Sequence, residues 1–310
     1  MTGTRVVVAL GGNALLRRGE SAEAETQRRN VLQAASALAA VAAEHELVIT
    51  HGNGPQVGLL ALEADAYKAV SPYPLDVLGA ESQGMIGYLL VQALQNELRD
   101  REVVALLTQV VVDSADPAFA QPTKPIGPVY SAREARELAR EHDWTVARDG
   151  MYFRRVVPSP EPKAIVELES IKRLVDGGTV VVCSGGGGVP VVRERAGLRG
   201  VEAVIDKDLT AALLAQVLGA ERLVLATDIS FVEASWGTSS AAPIVSATPT
   251  ELRRMQFAAG SMAPKIEAAC RFVERTGCSA AIGSLAELEG VIRGTAGTQI
   301  DPRLTSAATA

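Results

Sequence analysis

Cysteine, histidine and aromatic residues are all scarce in this chain, and each scarcity closes off a class of function. The three cysteines, Cys183, Cys270 and Cys278, form neither an even disulfide framework nor a ligand-pair spacing, so they read as buried thiols in a reducing compartment. With three histidines and no His-Glu-x-x-His or Cys-x-x-Cys pattern, no dedicated protein-built metal cage is expected. A basic excess is missing too: 30 Lys and Arg against 36 Asp and Glu give a formal net charge of -6. Without a basic run there is no electrostatic footprint for nucleic acid. No apolar run is long enough to span a bilayer, and the first residues lack a signal-peptide profile. The expectation is a soluble, cytoplasmic protein with no membrane or nucleic-acid partner.

What remains is a chain of 310 residues, 47% hydrophobic and 21% charged, which excludes global disorder and can bury a sizeable core. Short apolar runs alternate with longer Ala-rich amphipathic segments, the pattern of βαβ units around a mostly parallel sheet. The pattern predicts strands over Arg5 to Leu10, Glu46 to Thr50, Val103 to Val112, from Thr179, over Arg222 to Ala226 and over Ala280 to Ile282. It predicts helices over Thr26 to Glu44, from Pro55, and over Leu78 to Leu98, Ala164 to Val175, Leu209 to Leu218, Thr250 to Gln256 and Ala263 to Arg275. Asp113 to Pro162 breaks the rhythm with spaced prolines and a charged helical piece over Ala132 to Glu141, and is read as an inserted lid subdomain. Residues 303–310 are read as a disordered tail.

Glycine is the residue present in telling places. One run, Thr179-Val-Val-Val-Cys-Ser184, ends in four consecutive glycines, Gly185 to Gly188. Glycine loses most backbone freedom on folding, so such a stack implies positive φ or a ligand against the backbone; a flexible loop is the alternative. Two further strands end in Leu10-Gly11-Gly12-Asn13 and His51-Gly52-Asn53-Gly54-Pro55. Ligands of open α/β sheets bind at the carboxyl ends of strands, and three such turns together point to a cleft that handles phosphate. None matches G-x-G-x-x-G or the Walker pattern, which leaves ordinary dinucleotide folds and P-loop NTPases unsupported.

Three lysines have unusual settings. Lys124 lies within Pro122-Thr-Lys-Pro-Ile-Gly-Pro128, where prolines stiffen its mounting. Lys207 stands between Asp206, a candidate helix cap, and Asp208; Lys265 follows Pro264 at a helix start. Each also has a plain structural reading, as a solvated loop lysine or a helix start. His51, in the Gly-Asn-Gly turn, is placed to touch substrate.

Taken together, Ala9 to Leu15, Thr50-His-Gly-Asn-Gly-Pro-Gln-Val-Gly58, Glu81 to Tyr88, Asp116 to Phe119, Pro122 to Pro128, Arg154-Arg-Val-Val-Pro-Ser-Pro160, Gly185 to Val191, Gly200 to Asp208, Gly260 to Lys265 and Gly297 to Ile300 closely resemble carbamate kinases of the amino acid kinase superfamily. The resemblance implies an α/β fold, a three-layer αβα sandwich around a mostly parallel open sheet, with a protruding lid subdomain. It spans residues 1–302, with lobes dividing near residue 200 and the lid inserted at 113–162. The implied reaction is reversible phosphoryl transfer between ATP and carbamate, with Mg²⁺ carried by the nucleotide and a homodimer as the working form. By the same resemblance Lys124, Lys207, Asp208 and Lys265 are catalytic, and Gly11, Gly12, Asn13, Gly52, Asn53 and Gly54 surround carbamate and the transferred group. Gly185, Gly186, Gly187, Asp206, Asp228 and Met262 are expected on the nucleotide. Glu233 and Ser235 stand where the family usually carries Tyr and Asn, so the adenine contacts differ, and Met151 to Phe153 departs from the run expected before the paired arginines. Another kinase of this superfamily, or a regulatory nucleotide-binding protein of the same fold, are the rival readings.

Overall fold

The computed structural model describes residues 3–16, 20, 23–67, 69, 71–258 and 262–303, with Asn13 and Ala14 described only in their backbone. Eight strands form the central sheet in the order Ser246–Ala247, Thr298–Ile300, Ser279–Ser284, Arg222–Thr227, Arg5–Leu10, Glu46–His51, Val180–Val182 and Val103–Ala105. All neighbours pair in parallel except Ser279–Ser284 with Thr298–Ile300. Strands from both halves of the chain therefore share one sheet, joined where Arg222–Thr227 pairs with Arg5–Leu10.

Near-continuous β-branched runs such as Val6-Val7-Val8 belong in strands covered on both faces, and here side chains alternate between two cores. Val7, Ala9 and Val48 pack with helices Leu168–Asp176, Lys207–Val217 and Met262–Thr276. Val6, Val8, Leu10, Leu47 and Ile49 pack with helices Ala24–Glu44, Leu75–Glu97 and Leu288–Arg293 on the other face. This is the expected three-layer αβα sandwich.

Three smaller sheets flank it. Gly197–Gly200, Val189–Glu194, Gln109–Val111 and Ala164–Ile165 form one, and Val232–Ala234 with Ala242–Ile244 another. Lys124–Tyr130, Tyr152–Val157 and Val146–Asp149 form a third, antiparallel sheet, accompanied by helix Ala132–His142, whose first turn is closed by a Ser131/Glu134 capping box.

Two expected elements are corrected. The strand over Val103 to Val112 is broken: Val103–Ala105 belongs to the central sheet and Gln109–Val111 to the four-stranded one. At the break, the buried Gln83 amide replaces ladder partners, accepting from Thr108 N at 2.9 Å and donating to Thr108 O at 3.1 Å. The helix over Ala164 to Val175 begins only at Leu168, because Ala164–Ile165 pairs with Val110 and Val111. Glu167 locks that arrangement by accepting from Gln109 N at 2.7 Å. The tail from residue 304 lies outside the described residues.

Candidate active site

The carboxyl ends of Arg5–Leu10, Glu46–His51 and Arg222–Thr227 open into a cleft of about 1680 Å³. Gly11, Gly12, Gly52, Asn53, Gly54, Lys124, Gly186, Asp206, Lys207, Asp208, Asp228, Met262 and Lys265 all line it. The sheet topology thus brings together segments that are far apart in sequence. Asn13 lies in the short helix Gly12–Leu15, and its side chain is outside the described residues.

Two of the expected anion-binding amides are already engaged. Gly11 N donates to Ala226 O at 2.9 Å and Gly52 N to Leu10 O at 3.0 Å. Gly52 has a different reason to be glycine: a Cβ there would sit 3.0 Å from Gly12 N, so the first two turns touch backbone to backbone. Asn53 precedes helix Gly54–Ala66, with Pro55 in its first turn. The first-turn amides of that helix lack intrahelical partners and carry the positive end of the helix dipole.

The lysines are assembled by the segment Asp206–Asp208. Asp206 caps helix Lys207–Val217, its Oδ1 accepting from Asp208 N at 2.9 Å and Leu209 N at 3.2 Å. Its Oδ2 accepts from Lys124 Nζ at 2.6 Å. Asp208 bridges the other two: Oδ1 to Lys207 Nζ at 2.5 Å and Oδ2 to Lys265 Nζ at 2.9 Å. Lys207, Asp208 and Lys265 are nearly buried, with side chains 13%, 7% and 11% exposed.

Burial pushes the Lys207 ammonium down to about 8, opposed by the attraction of Asp208 and reinforced by the repulsion of Lys265. Burial works against the Lys265 ammonium as well, but Asp208 outweighs it and the net shift is upward. Burial alone would raise the Asp208 carboxyl; its two lysine partners hold it well below the usual carboxylate range. The cluster is a fixed pair of cations around one ionised carboxylate.

The glycine stack needs correction. Of Gly185, Gly186 and Gly187, only Gly186 lines the cleft; Gly185 and Gly187 are buried beneath it. Packing explains all four glycines. An added Cβ would strike the His51 ring at Gly185, the Asn53 amide at Gly186, Ile205 O at Gly187 and Val110 at Gly188. The last three also have φ of 65°, 97° and 91°, a region L side chains rarely adopt. Gly187 N and Gly188 N are spent within the turn, on Ser184 O at 3.1 Å and Gly185 O at 3.0 Å.

His51 is corrected as well: it is 1% exposed and does not line the cleft. Its Nδ1 lies 3.0 Å from Gly52 O, and burial lowers its pKa to about 4. It is a neutral packing residue under the turn. Asn53 is held above it, donating to Ser82 Oγ at 2.7 Å, which donates in turn to Gly79 O at 2.7 Å.

The cleft also has an apolar part to its lining. Ile229, Phe231, Trp236, Pro243, Met255, Phe257 and Met262 contribute to it, with Asp228 and Glu233 among them. The hairpin Val232–Ala234/Ala242–Ile244 forms one of its walls. Sequence reading missed two features here. The hairpin is concealed because Ser235 turns the chain with φ 52°. Arg154, which lines the cleft as Lys124 does, lies within a quoted string, yet nothing in its spacing separates it from the neighbouring Arg155.

Comparison with known proteins agrees with this geometry. The amino acid kinase family is matched over residues 4–284. The carbamate kinase of Rhizobium meliloti (strain 1021) is 54% identical over 300 residues, covering 96% of this chain and 93% of the relative. That of Escherichia coli (strain K12) is 52% identical, covering 95% and 98%. Among solved structures, carbamate kinase from Giardia lamblia bound to AMP-PNP superposes with a TM-score of 0.88 at 40% identity, covering 97% of this chain and 99% of that one. The chain belongs to the amino acid kinase family and, within it, to the carbamate kinases.

Proposed function

We propose that this protein catalyses reversible phosphoryl transfer between ATP and carbamate, giving ADP and carbamoyl phosphate. The observation that carries the reading is the lysine–aspartate cluster: Lys207 and Lys265 fixed on Asp208, with Lys124 reaching the same cleft from another sheet.

Carbamate is an anion at neutral pH, so its oxygen attacks the γ-phosphorus directly. The new O–P bond forms as the bond to the ADP oxygen breaks, and no proton needs removing. This chemistry asks for no general base, and His51 is buried and does not line the cleft. Such a transfer depends on positioning and on neutralising charge on the equatorial oxygens. Lys207 and Lys265 supply fixed charge, the amides of helix Gly54–Ala66 face the acceptor end, and the apolar part receives the base.

Among the described residues no cluster of three or more His, Cys, Asp or Glu is placed to hold a metal ion. Asp206 and Asp208 are engaged by lysines and amides, so the donor set fits a Mg²⁺ bound mainly by nucleotide phosphates and water, adding positive charge at the transferred group. We further read Asp113 to Pro162 as a lid closing over the cleft, a homodimer as the working form and the cytoplasm as the location. Among the described residues no helix is long and apolar enough to cross a membrane. Carbamoyl phosphate is a reactive mixed anhydride, so transfer runs toward ATP, in the breakdown of amino acids such as arginine or of other nitrogen compounds.

The test is ATP formation from ADP and carbamoyl phosphate, read through a coupled enzyme. Nucleotide binding without turnover would overturn the enzyme reading in favour of a regulatory protein of this fold.

A further inference from the structure

The cations of the cleft differ in how far their charge is already answered. Lys124, Lys207 and Lys265 each bond a carboxylate within 2.9 Å. Arg154 lines the same cleft but, among the described residues, meets a carboxylate, that of Asp149, only at 3.6 Å. Its Nη2 donates instead to the carbonyl of Gly127 at 2.6 Å, and its Nε is buried with no acceptor among the described residues. The side chain is 21% exposed. A mostly buried guanidinium in this state has unspent charge and unspent donors.

Its mounting determines which end of the cleft it serves. Arg154 stands on Tyr152–Val157, paired to the strand that carries Lys124, where Lys124 faces Val157 and Ile126 faces Arg155. The register breaks after Ile126, and Gly127 adopts φ 69°. Gly127 rests directly on Gly58, where a Cβ would strike its backbone. Gly58 lies on helix Gly54–Ala66, which begins at the Gly52-Asn53-Gly54 turn. Arg154 is thus braced against the helix that follows the acceptor turn, whereas the apolar lining comes from other segments, with Ile229, Phe231, Trp236, Phe257 and Met262.

Resting on the carbamate-kinase reading, we infer that Arg154 is a further anion-binding residue of the acceptor side, contacting the oxygens of carbamate or of the acyl phosphate. A guanidinium presents parallel N–H donors matched to a carboxylate or phosphoryl edge, which a lysine cannot reproduce. Arg154 and Lys124, on adjacent strands, grip the acceptor while Lys207 and Lys265, at the starts of helices Lys207–Val217 and Met262–Thr276, hold the transferred group.

The experiment is steady-state kinetics in the ATP-forming direction for the wild type, R154M and R154K, with thermal unfolding of each. The KM for carbamoyl phosphate is expected to rise about tenfold or more in R154M and by less in R154K, while the KM for ADP stays within about twofold. If Arg154 only braced Gly127, displacement of Lys124 would lower kcat and the melting temperature, R154K would restore both, and the ratio of the two KM values would not change. That pattern overturns the inference, as does an unchanged KM for carbamoyl phosphate in R154M or an equal rise in both KM values. If R154M does not fold, the KM ratio of R154K decides alone. A wild type without turnover overturns the functional reading and this inference with it, whereas an active wild type with an indifferent Arg154 overturns only the latter.

Discussion

Replacing Asp208 with Asn tests whether the lysine cluster is an electrostatic device or an incidental ion pair. Asp208→Asn keeps the shape but removes the charge that Lys207 and Lys265 share at 2.5 and 2.9 Å. Breaking a buried pair by removing one partner costs about 3–5 kcal/mol, because a charge is left uncompensated. Lys207 has an escape. Its ammonium is already at about 8; without Asp208 its pKa falls below neutrality, at ~1.4 kcal/mol per unit. The stability loss should therefore lie near the lower bound, about 3 kcal/mol, lowering the melting temperature by several degrees in a chain of this size.

Activity should suffer more than stability. With Lys207 discharged at pH 7.5, the transferred group loses a fixed cation, and kcat should fall by roughly a hundredfold or more. The diagnostic is the pH dependence: lowering pH from 8 to 6 reprotonates Lys207 in the variant, so the gap to wild type narrows. Measuring kcat for ATP formation across that range, on folded protein, checks this. A kcat within a few-fold of wild type, or a gap that stays constant with pH, would refute the electrostatic account.

Three more predictions rest on the same geometry. In the wild type, kcat should decline above pH of about 8 as Lys207 loses its proton, and K207R should move that limb to higher pH. Because the folded state holds fewer protons than the unfolded chain between about 8 and the ordinary lysine value of 10.5, this group's contribution to stability rises with pH across that window; a limb that K207R leaves in place would reject the assignment. Lys124→Ala should lower kcat roughly a hundredfold with little change in unfolding midpoint, since the pair is partly exposed and Asp206 keeps its two amide donors; an active or unfolded variant counts against it. Gly187→Ala should destabilise by about 3 kcal/mol through its φ of 97° and collision with Ile205 O, read as a lower melting temperature; an unchanged one removes the packing account of the stack.

The features legible in the sequence were those fixed by local chemistry. Asp206 caps the helix that begins at the next residue, and Lys124 stands between prolines that admit few backbone states. The αβα layering followed from uninterrupted Val runs. What stayed hidden depends on partners distant in the chain. Nothing in Val103 to Val112 reveals the break that Gln83 imposes on Thr108 from a helix before it. His51 looks like a substrate contact until the sheet buries it against Gly185. Glycine itself is ambiguous: a stack that lets a phosphate approach and one that lets a neighbouring backbone approach have the same composition, and here Ile205 and Asn53 take the space.

An anion site built around aspartates looks self-defeating until the oxygens are accounted for. Asp206 spends Oδ1 on two helix amides and Oδ2 on Lys124; Asp208 spends one oxygen on each of Lys207 and Lys265. An ammonium has three donors, so a lysine that gives one to a carboxylate still has others to offer a phosphoryl oxygen. The carboxylates keep buried amines charged: without Asp208, burial would drive both Lys207 and Lys265 toward neutrality. They also fix direction, since a lysine tethered at its tip loses less freedom when substrate arrives. One three-residue segment, Asp206–Asp208, thereby holds lysines from three distant parts of the chain in a single cleft, and on the proposed function the cost of burying carboxylates there is offset by preorganised charge at the point of transfer.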